Sequence, residues 1–168
     1  MPGIQPDWLE TLKTKEAFMR LIGIALLLTG FSAGAFALAA APQSQPTAEP
    51  EHIQVQHILI GFKGSVGGKE ITRTQEEAKK LAYDLLARAN KGEDFDALVK
   101  QYTDDSHPGI YGMSNMGVAP SMPGEFERNR MVGAFGNVGF KLPVGGIGIA
   151  DYDPKTSPFG WHIIKRIK

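Results

Sequence analysis

Two histidines sit in the two most strand-like stretches of the chain. His57 lies in Val55-Gln56-His57-Ile58-Leu59-Ile60, and His162 in Gly160-Trp161-His162-Ile163-Ile164 near the C-terminus. An imidazole can donate and accept hydrogen bonds, exchange a proton near neutrality, or bind a metal. A lone histidine in an apolar strand ordinarily fills space and bonds a neighbour. Two such strands, one opening and one closing the same domain, make a shared site the reading to test. Composition removes several other chemistries. There is no cysteine, which excludes disulfides, thiolate nucleophiles and cysteine-rich zinc sites. Lys and Arg number 18, as do Asp and Glu, so no overall field favours nucleic acid or acidic partners, and no nucleic-acid partner is expected. The Gly67-Gly68-Lys69 run lacks the spacing of a phosphate loop and is followed by Glu70 rather than Ser or Thr.

The histidines must be delivered by a domain, and the chain shows where it begins. Residues 21–41 carry no charge and start with a strongly apolar run, Leu21 to Leu28, that passes into Gly, Ala and Ser. Lys13, Lys15 and Arg20 precede it, and the next basic residue is Lys63. By the positive-inside rule, residues 1–20 stay in the cytoplasm and the rest is exported to a periplasmic or other extracytoplasmic location. At about 1.5 Å per residue the segment just spans a hydrocarbon core. Ala37-Leu38-Ala39 also has the small-x-small form of a signal-peptidase site. Cleavage near Ala39 and retention of 21–41 as a membrane anchor are both compatible with this pattern. Residues 42–51 (PQSQPTAEPE) read as an extended, solvated linker, and the domain occupies 52–168.

Within the domain, the stretch from His52 to Ile60 alternates and then becomes continuously apolar, as a strand moving into a sheet interior does. Thr74-Gln75-Glu76-Glu77 is a capping box. Behind it Ala78, Leu81, Ala82, Leu85, Leu86 and Ala89 recur at helical spacing, and Gly92 stops the helix. Asp94 caps a second helix carrying Phe95, Leu98, Val99 and Tyr102. Residues 115–119 suggest a short strand. Residues 130–142 have helical apolar spacing, interrupted by Gly133, Gly136 and Gly139, each costing about 1 kcal/mol in a helix interior. Residues 148–151 and 160–165 are the last strands. The expectation is an α+β domain with a four-stranded, mostly antiparallel sheet.

These pieces, in this order, resemble the parvulin family of peptidyl-prolyl cis-trans isomerases over residues 52–168. The resemblance rests on Gln56-His57-Ile58-Leu59-Ile60, on Ile71-Thr72-Arg73-Thr74 with Gln75-Glu76-Glu77-Ala78, and on Gly92-Glu93-Asp94-Phe95 followed by Tyr102-Thr103-Asp104-Asp105-Ser106. It continues with Met131 and Phe135, then Phe140 and Leu142, and closes with Phe159-Gly160-Trp161-His162-Ile163-Ile164. It implies a parvulin-like fold of the FKBP-like superfold, with the four-stranded sheet packed against about four helices. It implies that His57, His162, Asp105 and Ser157 form a polar active-site network. A metal held by His57, His162 and Asp105 is chemically possible, but the family uses these positions for hydrogen bonding, so no metal and no cofactor is implied. Met116, Met131, Phe135 and Phe140 are implied as the substrate-binding wall, although the residue types by themselves favour the core for Phe140 and divide evenly between core and pocket for Met116. The segment between Asp105 and Met131 is longer than usual in the family. No arginine pair follows the first strand, so phosphoserine-proline specificity is not implied. The function implied is rotation of X-Pro bonds in unfolded or partly folded exported polypeptides. A non-catalytic chaperone or partner-binding module is the alternative.

Overall fold

The structure is a computed structural model, and it describes residues 48–168. The apolar segment 21–41, the Ala39 motif and most of the linker lie outside the described residues. The elements run β1 (His52–Ile60), α1 (Gln75–Asn90), α2 (Phe95–Tyr102), β2 (Ile110–Ser114), β3 (Glu125–Glu127), a 3-10 turn (Arg128–Arg130), α3 (Gly133–Lys141), β4 (Ile147–Ala150) and β5 (Trp161–Arg166). They form an α+β fold with one sheet of five strands in the order β3-β2-β1-β5-β4. Three of its pairings are antiparallel, and β2–β3 is parallel.

The sheet therefore has one strand more than expected. The expected strand at 115–119 is instead a turn: Val118 N–H donates to the Asn115 carbonyl at 3.1 Å, and Gly117 has φ +77°. The strand in this region is Ile110–Ser114, five residues earlier. The fifth strand, β3, is only three residues long and shows no period of its own. Among the described residues the four helical elements are three α-helices and a single 3-10 turn.

Local chemistry explains the helices that the sequence displays openly. Glu77 N–H donates to Thr74 Oγ1 (3.2 Å) and Thr74 N–H to Glu77 Oε2 (2.7 Å), which closes the capping box of α1. Asp94 accepts from the amides of Asp96 and Ala97 at the start of α2. α3 has no side-chain cap. Its free Ala134 N–H is instead satisfied by the Thr156 carbonyl at 2.9 Å, a tertiary contact.

The strand period sorts side chains to two faces. Ile58 and Ile60 of β1 and Trp161 and Ile163 of β5 pack with Leu85 of α1 and Phe95 and Leu98 of α2. Ile53 and Val55 of β1, Met113 of β2 and Ile164 of β5 pack with Phe135 and Phe140 of α3. β1 is thus buried on both faces. The register pairs Leu59 with His162 and His57 with Ile164, so His57, Leu59 and His162 all belong to the α3 face. Val55 pairs with Tyr111, which puts Tyr111 there too.

Two of the α3 glycines have a packing reason. A Cβ on Gly139 would stand 3.2 to 3.4 Å from Met113, Ile53 and Val55 side chains, and one on Gly136 would stand 3.1 Å from Arg128 Cγ. The helix lies close against β1 and β2 because Gly139 has no side chain, and the bare Gly136 makes room for Arg128. Contacts to the sheet offset the propensity cost that the sequence carries.

The end of the linker is not free. Asn115 N–H donates to the Glu51 carbonyl (2.8 Å), Asn115 Nδ2 to the Pro50 carbonyl (3.0 Å), and Arg128 Nη1 to Glu49 Oε2 (2.5 Å). A solvated tether is the expectation through residue 51; its last three residues are tied to the domain by Asn115 and Arg128, which are distant in sequence.

Candidate active site

Antiparallel pairing of β1 with β5 sets His57 and His162 diagonally across two central strands. Their rings stack at 13° with centroids 5.4 Å apart, and His57 Nδ1 lies 3.2 Å from His162 Nδ1. Both side chains are buried. Two glycines hold the strands that carry them. Gly109, at φ +64°, passes so close that a Cβ would stand 2.7 Å from the His57 carbonyl oxygen. Gly160, at φ +136°, would place one 2.1 Å from the Ile60 carbonyl oxygen. No other residue fits at the second position without moving the start of β5, and with it His162.

Asp105 completes the polar line. Its Oδ2 lies 3.0 Å from His57 Nε2 and accepts from Tyr111 Oη at 2.8 Å. The hydrogen bond from His57 holds the Asp105 carboxyl well below the usual carboxylate range; the Tyr111 hydroxyl and the Ser106 amide add to this against the opposing effect of burial. The Tyr111 hydroxyl is pushed up to about 12 by burial and by the adjacent carboxylate, so it remains a donor. Burial lowers His162 to about 3, and the neighbouring His57 adds to the effect. It is therefore a neutral ring.

These states assign the protons. An ionised Asp105 only accepts, so His57 donates from Nε2–H. His57 Nδ1 and His162 Nδ1, 3.2 Å apart, share one proton between them. His162 Nε2 is buried without a hydrogen-bond partner among the described residues. The line Tyr111–Asp105–His57–His162 thus runs from the half-buried surface into the core.

The turn bearing Asp105 is braced from below. Thr103 Oγ1 accepts from Leu59 N–H (3.1 Å) and from Asp105 N–H (3.2 Å). Asp104 N–H donates to the Leu59 carbonyl at 2.8 Å, and its carboxylate pairs with the Arg73 guanidinium and accepts from Gly61 N–H at 2.8 Å. Leu59 on β1 is thus bonded at both backbone groups to the segment that presents Asp105.

Above the polar line is a cavity of about 270 Å³. His57, His162 and Asp105 supply its polar lining, with Tyr111 at one side. Leu59, Met131, Val132 and Phe135 form apolar walls, and Val66 and Phe159 close it from the loops. Phe135 meets both imidazoles edge to face, with centroids at 5.1 Å from His57 and 5.4 Å from His162. The arrangement is an apolar slot over an ordered hydrogen-bonded floor. It can hold a compact apolar ring while setting the polarity around an adjacent carbonyl.

The model of the PPIC-type PPIase domain matches residues 43–167 of this chain. The chain belongs to the parvulin family. The parvulin domain is 35% identical over 115 residues to the chaperone SurA of Pseudomonas fluorescens, which covers 68% of this chain and 22% of that protein. It is 34% identical over 113 residues to the foldase protein PrsA 4 of Bacillus cereus, covering 67% of this chain and 30% of the relative. The match thus spans under a third of these relatives' length. Among solved structures, the solution structure of TbPIN1 superposes with a TM-score of 0.53 at 24% identity, over 70% of this chain and 98% of that one. The peptidyl-prolyl isomerase ESS1 of Candida albicans gives 0.51 at 20% identity, over 100% of this chain and 80% of that one. At these identities the structures speak for the fold alone.

The expected site residues of the parvulin domain divide into three groups. His57, His162, Asp105, Met131 and Phe135 come together around the cavity. Ser157 and Phe140 are buried elsewhere. Ser157 Oγ donates to the Gly160 carbonyl at 2.9 Å, bracing the turn into β5 rather than touching either histidine. Phe140 packs in the α3 core under the Arg128 guanidinium, 4.7 Å from the ring centre. Met116 is 63% exposed and lies in a separate recess, because residues 115–119 turn away instead of continuing the sheet. Tyr111, Leu59, Val66 and Phe159 were not singled out from the sequence. For Tyr111 the signal was a short β-branched and aromatic pair, Ile110-Tyr111, just after the turn; the others gave none.

Proposed function

We propose that this domain catalyses cis–trans rotation of X-Pro peptide bonds and assists the folding of exported polypeptides. The observation that carries the reading is the apolar cavity of about 270 Å³ built directly over the Asp105–His57–His162 line. An X-Pro amide rotates through a twisted state that has lost resonance, over a barrier of about 18–20 kcal/mol. No covalent bond is exchanged, so a site that binds the twisted form better than either planar form suffices. A 10⁴-fold acceleration corresponds to about 5.5 kcal/mol. Met131, Phe135 and Leu59 grip the pyrrolidine ring. His57, held by Asp105 and His162, fixes the electrostatic surroundings of the rotating carbonyl without attacking it. Asp105 orients His57, Tyr111 supports Asp105, and Ser157 supports the turn before His162.

The names of the relatives, a chaperone and a foldase, support clients that are unfolded or partly folded and contain proline. Export follows from the uncharged segment 21–41, with the domain released by cleavage near Ala39 or held to the membrane by that segment; N-terminal sequencing of the exported protein distinguishes the two. The decisive experiment is an X-Pro peptide isomerisation assay on the full chain. Activity is expected, with a loss of at least tenfold in kcat/KM for Met131→Ala and Phe135→Ala in variants that retain the parent circular-dichroism spectrum. An inactive parent overturns the proposal. Suppression of client aggregation that survives both substitutions marks a chaperone that does not depend on turnover.

A further inference from the structure

Next to the cavity lies a second recess of about 330 Å³, lined by Met116, Arg128, Asn129, Met131, Gly133 and Asn137. Met131 lines both, so one side chain separates them. We propose that this recess is a subsite for an apolar side chain flanking the X-Pro unit, and that it sets sequence preference. The proposal rests on the isomerase reading above and extends it along the same bound chain.

Three observations point to an apolar occupant from the same polypeptide. First, Met116 is exposed at 63% and faces no core cluster. With Met131 it gives the recess two flexible thioethers, which adapt to varied apolar shapes. Second, the only cation in the lining is already satisfied. Arg128 donates to Glu49, Asn115 and Asn137 at 2.5, 2.8 and 2.9 Å, lies over Phe140, and its side chain is only 12% exposed. With its charge balanced by Glu49 and its donors engaged, it offers little to an anion and forms a fixed floor. Third, Gly133 has no structural need to be glycine. Its backbone is helical, and a Cβ there would meet only the Thr156 carbonyl oxygen at 3.9 Å. This sets it apart from Gly136 and Gly139, where neighbours crowd the missing side chain. At Gly133 the absent side chain leaves the recess open. An extended chain that places proline in the first cavity runs on past Met131 and can lay a neighbouring side chain into the second.

The test uses the full chain and X-Pro peptides that differ only at the positions flanking proline, carrying Ala, Leu, Glu or Lys. Isomerisation kcat/KM and calorimetric Kd are measured on the same set. The expected result is a preference for Leu over Ala at one flanking position on the order of fivefold, the scale of partly burying one leucine side chain. Met116→Ala and Gly133→Leu each bring that ratio close to one, and Met116→Lys shifts preference toward Glu. A Leu/Ala ratio of one in the parent, or a ratio unchanged in all three variants, overturns the subsite. The Kd ratios decide the matter even if the parent lacks turnover, a result that would count against the isomerase reading alone.

Discussion

The chemistry of His162 follows from its burial. It is 4% exposed and held neutral by burial. In the unfolded chain a histidine takes a proton below about pH 6.5. The unfolded state therefore binds more protons over the interval between about 6.5 and the folded value of about 3. The stability His162 contributes is fully present above that interval and is lost as pH falls through it. Asp105 acts lower down. Its folded carboxyl is depressed, so its contribution is present above the unfolded value of about 3.9 and is lost as pH falls further. Between pH 6 and 4.5 only the histidine effect operates among these two. His162→Asn is expected to flatten the fall in unfolding free energy there by up to about 1.4 kcal/mol per pH unit, measured by urea denaturation at several pH values. An unchanged slope would mean that His162 is not buried in its neutral form.

At the scale of elements, α3 is the segment on which the site depends most and which its own sequence supports least. It carries Phe135 into the cavity, yet it has three glycines and no side-chain cap. Its stability comes from lying close to β1 and β2 through Gly139 and from the Thr156 carbonyl at its first turn. The glycines are accordingly not equivalent. Gly139→Val places new atoms where a Cβ alone already meets three side chains at 3.2 to 3.4 Å, and is expected to destabilise by about 1–3 kcal/mol. Gly133→Ala adds a good helix former in free space, and is expected to be neutral or to stabilise by up to about 1 kcal/mol. Equal effects in denaturant titrations would show that α3 does not pack on the sheet through Gly139.

For the molecule as a whole, Arg128 joins parts that are far apart in the chain. It connects Glu49 before β1, Asn115 after β2, and Asn137 and Phe140 on α3. Arg128→Met leaves three acceptors without their donor, the half-buried Asn115 and the exposed Glu49 and Asn137, and is expected to cost about 1 kcal/mol. The ion pair itself contributes less. Glu49 is 37% exposed at its side chain, and solvent screening limits the Glu49–Arg128 coupling in a double-mutant cycle to about 1 kcal/mol or below. A coupling well above 1 kcal/mol would show that the pair is shielded from solvent more than its exposure indicates.

By itself, the sequence determined the strands, caps and helices whose signals are local. The capping box at Thr74, the Asp94 cap and the two-faced apolar run of β1 each depend on residues within a turn or two of one another. The order of motifs then indicated the family and, with it, His57, Asp105, His162, Met131 and Phe135. Tertiary structure alone decided how β2 and β3 lie, since a three-residue strand has no period to read and pairs only because β2 is beside it. It also decided that Tyr111 shares a face with His57, because that follows from the Val55–Tyr111 register and not from any spacing along the chain. Ser157, Phe140 and Met116 belonged to the right segments but not to the cavity. Whether a side chain lies in a core, a turn or a groove depends on what other parts of the chain pack against it. The same reason separates the glycines of α3, which look alike in the sequence and differ only in what a Cβ would touch.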